Sequence, residues 1–299
     1  MKIERLLSAI FFVCCLCVQL SAQNKIVVFQ TDFGVKDGAV SAMKGVAMSV
    51  SPDLKLFDLT HEIPAYNIWE AAYRLQQTVP YWPVGTVFVS VVDPGVGSAR
   101  KSVVLRTKNG YFIVTPDNGT LTLIAQSQGI EAIREIDETK NRRPGSGESY
   151  TFHGRDVYAY TAARLAAGVI NFEDVGPVLP PKIVTIDYQQ PAFENNIIKG
   201  NIPVLDIQYG NVWTNIDKTT FTKLALNYGD NLHVSIYHNK QKIYEGTMPY
   251  VTTFSAVAVE KPVCYLNSLM NVSFALNKSN FSEQYKVYSG AEWSVEISK

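Results

Sequence analysis

The stretch "VSVVDPGVGSARKSVVL", Val89 to Leu105, places glycines, a lysine and a serine directly after an apolar run. That composition invites reading it as a phosphate-binding loop. Such a loop needs G-x-x-x-x-G-K-[ST], so that backbone N–H groups curl around phosphates and a helix begins behind them. Counting from Gly95, the second glycine belongs at position 100, where Arg100 stands before Lys101 and Ser102. The dinucleotide pattern G-x-G-x-x-G fails at the same place. The next residues, "KSVVLRT", are β-branched and alternating, which predicts a strand where both nucleotide motifs need a helix. The stretch reads as strand, polar turn, strand, with Asp93 and Arg100 at the two ends of the turn.

Its neighbours on both sides repeat an alternation of strand and helix. "KIVVFQTDFG" is a buried-type strand ending in the loop Thr31-Asp32-Phe33-Gly34, and Val40, Met43, Val46, Ala47 and Val50 form a helical stripe after it. "LKLFDLT" predicts a second strand. Asn67 and Glu70 have capping-box spacing before a helix with Ile68, Ala71, Ala72, Leu75 and Val79 on one side. "TVFVSVV" is a third strand. "KSVVLRT" and "YFIVTP" form a hairpin around Lys108-Asn109-Gly110. Gly119 to Gly129 reads as helical, and so does Arg155 to Ala167, closed by Gly168. The pattern predicts an α/β N-terminal domain with a largely parallel central sheet between helices.

The character changes after about Pro180. "LPPKIVTIDYQQPAFENN" is proline-rich and then polar, and helical periodicity fades beyond it. "HVSIY" and "KIYEGT" flank "HNKQ" as a hairpin, and "NVSFALN" alternates. This half reads as antiparallel β, a small barrel or sandwich. The boundaries are 24–182 for the first domain, 183–196 for a linker and 197–299 for the second domain.

The sequence has 299 residues, with 27 basic and 27 acidic side chains. A balanced charge gives no field to attract nucleic acid or an anionic membrane. Residues 1–22 read as an export signal: Lys2 and Arg5, then an apolar run from Leu6 to Leu20, then "LSA" before Gln23. The run is short for a membrane span, which needs about 20 apolar residues. Cleavage would leave an exported, periplasmic chain with no membrane attachment. Three of the four cysteines lie in that segment, so the mature chain keeps Cys264 alone and forms no internal disulfide.

Four polar loops fall where an α/β sheet places its ligands, at the carboxyl ends of strands: "TDFG", "VDPGVGSAR", "TPDNG" and "TFHGRD". Asp32 is suited to accept hydrogen bonds from a sugar diol, and equally to cap a turn. Asp117-Asn118-Gly119 reads as a turn and helix start. His153 can orient water or pass a proton near neutral pH, or serve as an inert loop histidine. Asp58 and His61 are too few for a metal site and read as structural. No G-x-S-x-G elbow is present, which argues against an ordinary serine hydrolase.

Taken together, "TDFG", "VDPGVGSAR", "TPDNG", "FHGRD", "LDIQYGNVWTNI" and "LNS", in this order, resemble the S-adenosyl-L-methionine hydroxide adenosyltransferase family. These are adenosine-forming S-adenosylmethionine hydrolases, related to the fluorinase and chlorinase. The resemblance runs from about Lys25 to the C-terminus. It implies a C-terminal β-barrel and a homotrimer whose active sites lie at subunit interfaces. It implies hydrolysis of S-adenosyl-L-methionine to adenosine and L-methionine, without metal or cofactor. Asp93, Arg100 and His153 match the family's water-orienting trio. The related halogenases carry a tyrosine where Asp93 stands, so Asp93 favours water over halide. Asp32 matches the ribose-diol aspartate. Asp206 and Asn211 match residues that hold the methionine amino group and the adenine, and Ser268 matches one near the methionine carboxylate. The chain departs from the common pattern at Tyr209, at Met270, where glycine is usual, and at Ser279 to Ser282. Two alternatives stay open: a nucleoside-binding protein of the same fold without turnover, and a halogenase.

Overall fold

The computed structural model describes residues 24–299; the expected export signal lies outside them. The chain divides into two compact units, the described part of Met1–Asn67 with Arg74–Ile183, and Ile68–Tyr73 with Val184–Lys299.

The first unit is built on a seven-stranded sheet of order β2-β1-β3-β5-β4-β6-β7. Its strands are β1 Ile26–Thr31, β2 Lys55–Thr60, β3 Val87–Val91, β4 Ser102–Thr107, β5 Phe112–Pro116, β6 Ile130–Glu135 and β7 Val178–Leu179. Strands β2, β1, β3 and β5 pair in parallel, while β4 pairs antiparallel with both β5 and β6. The sheet is therefore mixed and largely parallel, as the alternating pattern predicts.

The side-chain alternation of each strand explains the layers. Val27, Phe29, Val87, Val89, Val104 and Val114 face one core, against Met43 and Ala47 of helix α1 (Ala39–Val50) and Ala162 and Leu165 near the end of the unit. Val28, Phe88, Val103, Leu105 and Ile113 face the other core, with Leu75, from helix α2 (Ile68–Thr78), and Ile124, from helix α3 (Thr122–Gln128). Short helix α4 (Glu138–Asn141) follows β6.

One helix differs from its expectation. Between His153 and Ala166 the chain makes a π-helical turn, Gly154–Ala159, and only then the α-helix α5, Tyr160–Ala166. A π turn widens the helix locally and occurs often at functional sites.

The hairpin β4–β5 fixes the layout of the ligand edge. Ser102, the first residue of β4, pairs with Pro116, the last of β5. An antiparallel partner thus brings its entrance to the edge where the parallel strands end. For that reason Arg100, which precedes β4, and Asp93, which follows β3, meet there.

The second unit contains two antiparallel sheets, of order β10-β11-β15-β14 and β13-β12-β16-β9-β8. The first comprises β10 Val204–Asp206, β11 Asn211–Asp217, β14 Pro262–Leu266 and β15 Asn271–Leu276; the second comprises β8 Ala192–Glu194, β9 Ile197–Asn201, β12 Asn231–His238, β13 Gln241–Pro249 and β16 Trp293–Ser298. One core is shared by Val212, Cys264 and Phe274 from one sheet and Ile198, Val234, Ile236 and Val295 from the other. Among the described residues no closed barrel forms. Strand β13 ends at Pro249, which has no N–H to extend a ladder. Only the isolated bridge Tyr250↔Cys264 joins that edge to β14.

Candidate active site

The residues singled out in the sequence collect in two clefts, one in each unit. In the first unit a cleft of about 260 Å³ is lined by Asp32, Phe33, Tyr66, Asp93, Phe152 and His153, among others. In the second a cleft of about 870 Å³ is lined by Asp206, Tyr209, Asn211, Ser268, Asn280 and their neighbours.

Asp32 sits just past the end of β1. Its Oδ2 accepts from the Tyr66 backbone N–H at 2.9 Å. The residue before it, Thr31, is tied down from behind. Thr31 Oγ1 lies 2.8 Å from His61 Nδ1, and His61 Nε2 lies 2.9 Å from Asp58 Oδ1. Lys44 holds the other Asp58 oxygen at 2.6 Å. Burial alone would raise the Asp58 carboxyl, but the hydrogen bonds from Lys44 and His61 outweigh it and hold it below the usual range. Asp58 and His61 thus support the Asp32 loop, in the structural role expected of them.

Asp93 and Arg100 close the turn after β3 as an ion pair. Arg100 Nε donates to Oδ1 at 2.9 Å and Nη2 to Oδ2 at 2.5 Å, a bidentate grip. Arg100 Nη1 donates to Ser102 Oγ at 2.9 Å, and that oxygen lies 3.1 Å from the Tyr158 hydroxyl. Burial pushes the Tyr158 hydroxyl well above its ordinary value, so it remains a neutral partner. Burial disfavours the charge on Arg100, and the hydrogen bond with Asp93 more than restores it. Asn118 donates to the Val92 carbonyl at 2.9 Å, pinning the turn from the β5 side.

His153 immediately precedes the π turn and is buried. Its Nδ1 lies 3.0 Å from Arg100 Nη2, and its Nε2 lies 3.0 Å from Arg142 Nη2. Burial lowers the imidazole's proton affinity. The charges of Arg100 and Arg142 lower it further, against Glu138 and Asp93. The fold therefore brings Asp93, Arg100 and His153 into one hydrogen-bonded group, with Asp32 in the same cleft.

In the second unit Asp206 pairs directly across the β10–β11 turn with Asn211, whose Nδ2 lies 3.3 Å from Asp206 Oδ2. Gly210 makes the turn possible. Its φ is +67°, and an added Cβ would overlap Asn280 Oδ1. Ser268 stands in a tight turn held by Asn267, whose Oδ1 accepts from the backbone of Leu269 and Asn271. Met270 closes that turn with φ 61°, a left-handed backbone that explains why glycine suits this position. Ser279 and Asn280 line the cleft, whereas Phe281 is buried in the core against Tyr244 and Phe274. The Phe281 departure therefore leaves the cleft lining alone.

Sequence reasoning passed over Arg142, Glu138 and Tyr66. The Glu138 to Arg142 spacing of four, with Arg143 beside it, was the visible signal. Nothing in the linear sequence connects Arg142 to His153.

Residues 27–176 match the family model described as SAM hydroxide adenosyltransferase N-terminal domain, and residues 200–294 match its C-terminal counterpart. The chain is 39% identical over 217 residues to the (R)-S-adenosyl-L-methionine hydrolase of Methanocaldococcus jannaschii, covering 71% of this chain and 74% of that one. It is 28% identical over 297 residues to the fluorinase of Actinoplanes sp., covering 91% and 97% respectively. A crystal structure of an uncharacterized conserved protein from Thermotoga maritima superposes with a TM-score of 0.82 at 32% identity, over 91% of this chain and 100% of that one. On matches that span both units, the chain belongs to the SAM hydroxide adenosyltransferase family.

Proposed function

We propose that this protein hydrolyses S-adenosyl-L-methionine to adenosine and L-methionine. The observation that carries this reading is the bonded group of Asp93, Arg100 and His153 in the cleft that also presents Asp32. The hydrolase relative is named for the (R) form, and we take that form as the preferred substrate here.

Water oxygen attacks the ribose C5′; the C5′–S bond breaks, its electron pair stays on sulfur, and the water passes one proton by way of the Asp93 carboxylate to bulk solvent. The sulfonium becomes a neutral thioether, so positive charge is dispersed along the path and a water-poor cleft favours it. Asp93 accepts a hydrogen bond from the attacking water. Arg100, which cannot act as a base, fixes Asp93 through its fork. Placing the water in line with the C–S bond removes entropy in advance, worth effective molarities of about 10⁵ M or more. Asp32 takes the ribose hydroxyls. Asp206, Asn211 and Ser268 take the adenine and the methionine end.

The proposal includes a homotrimer in which neighbouring subunits complete each site. Tyr66 on the first cleft and Tyr209 on the second are exposed aromatic rings that a neighbouring subunit would cover, which supports it. Export after cleavage of residues 1–22 belongs to the same reading.

Purified protein lacking residues 1–22 is incubated with each sulfonium epimer, with and without chloride, and the products are separated by chromatography. Adenosine and methionine are expected under both conditions, and Asp93→Ala should slow their release at least 100-fold. A chlorinated nucleoside would assign the chain to the halogenases. Binding without release would make it a nucleoside-binding protein.

A further inference from the structure

Both ring nitrogens of His153 face guanidinium groups, Arg100 at Nδ1 and Arg142 at Nε2, each at 3.0 Å. A guanidinium only donates hydrogen bonds, and an imidazolium has no lone pair to accept one. A charged His153 would place three positive groups edge to edge. A neutral ring offers one lone pair, which one of the two arginines takes.

Arg142 is anchored independently of the histidine. Its Nε and Nη2 bond the Glu138 carboxylate at 3.1 and 2.9 Å. Its Nη1 donates to the carbonyls of Ser146 and Ser149, both at 3.3 Å. The guanidinium carbon stands 4.5 Å from the Tyr150 ring centroid, and the side chain is 9% exposed. Such a fork is stationed before the imidazole meets it, and holding it there costs little further entropy.

We propose that Arg142 is a positioning residue for the reaction: it closes the Nε2 edge of His153 as Arg100 closes the Nδ1 edge, and the pair hold the ring uncharged and fixed at the cleft wall. A ring whose lone pair is already taken does not receive the proton of the attacking water. His153 instead keeps Arg100, and through it Asp93, in place. The kinetic side of this inference rests on the hydrolase reading; the titration side rests on the geometry alone. The groups facing His153 are Asp93 and Arg100 from the turn after β3, Glu138 and Arg142 from α4 and its end, and the rings of Tyr150 and Tyr158. Burial and the two arginines together push the imidazole below its ordinary value of 6.5, the direction a clamp of two cations requires.

The test follows the His153 C2–H resonance of the ligand-free protein by NMR against pH, assigned with His153→Asn. In the unaltered protein the midpoint lies below 6.5. In Arg142→Gln it rises by about one unit, and in Arg142→Lys, which keeps the charge, it returns toward the starting value. Steady-state hydrolysis by Arg142→Gln shows a roughly tenfold lower kcat, a KM near that of the parent, and an acid limb moved up by the same increment. A midpoint at or above 6.5 in the unaltered protein overturns the proposal, whether or not the variants fold. So does a midpoint or an acid limb that stays put in Arg142→Gln. A shifted midpoint in a protein that releases no adenosine supports the clamp and overturns the hydrolase reading instead.

Discussion

Arg100 donates to both oxygens of Asp93, Nε to Oδ1 at 2.9 Å and Nη2 to Oδ2 at 2.5 Å, with the two side chains only 11% and 5% exposed. Two parallel bonds fix the carboxylate in plane as well as in position. Removing one partner from a buried pair leaves the other charged and unsatisfied. Arg100→Met should therefore cost about 3 kcal/mol of stability, measured by urea unfolding. Arg100→Lys keeps the charge but loses the fork, and should lower kcat about 100-fold while the protein stays folded.

Asp156 makes the fold sensitive to acid. The carboxylate is fully buried and accepts from Arg143 Nε at 3.1 Å and from Arg155 Nε and Nη2, both at 2.8 Å. Burial would raise it, but the bonds from Arg155 and Arg143 hold it below the ordinary 3.8. The unfolded chain thus takes up the proton first as pH falls. The stability from this carboxylate is complete at neutral pH and drains away below about pH 4, through the folded value. Asp156→Asn should lose about 2 kcal/mol at pH 7 and show a shallower loss on acidification than the parent. Urea midpoints at pH 7 and pH 3.5 (roughly the onset of the window) check this.

Gly210 and Asn280 are locked together in the second cleft. A methyl at Gly210 would collide with Asn280 Oδ1, and that oxygen caps the helix Phe281–Tyr285 through the Glu283 N–H. Displacing it costs the cap, about 1 kcal/mol, and the left-handed backbone costs about as much again. Gly210→Ala should lower stability by about 2 kcal/mol and weaken adenosine binding in calorimetry, because Asp206 and Asn211 flank the altered turn.

Met270 should be improvable. Its φ of 61° strains a side-chain-bearing residue by about 1 kcal/mol, part of which returns as unfolded-chain freedom when glycine replaces it. Met270→Gly should raise stability by about 0.5 kcal/mol, read from the urea midpoint with the slope unchanged.

The layers of the first unit were legible because its strands are continuous β-branched runs and its helices carry apolar stripes such as Val40, Met43, Val46 and Ala47. Rejecting a phosphate loop at Gly95 correctly placed a strand at Ser102. The trio was legible as three motif residues, and the β4–β5 register shows why they meet. Arg142 was hidden, because its tie to His153 depends on how the chain turns between α4 and the π turn. The π turn was hidden as well: the run 157–166, VYAYTAARLA, is apolar almost throughout, so a local change of helical period leaves no mark in it. The sheets of the second unit were read as antiparallel, but how their edges end is decided by single residues such as Pro249, which alternation does not register.

Water as the nucleophile at C5′ is the central claim. Hydrolysis of S-adenosyl-L-methionine in ¹⁸O-labelled water, with mass spectrometry of the nucleoside, tests it directly. The predicted product is adenosine carrying one heavy oxygen at the 5′ position, formed by the parent protein and at least 100-fold more slowly by Asp93→Ala. Adenosine without the label, or labelled adenosine formed equally fast by Asp93→Ala, would contradict it.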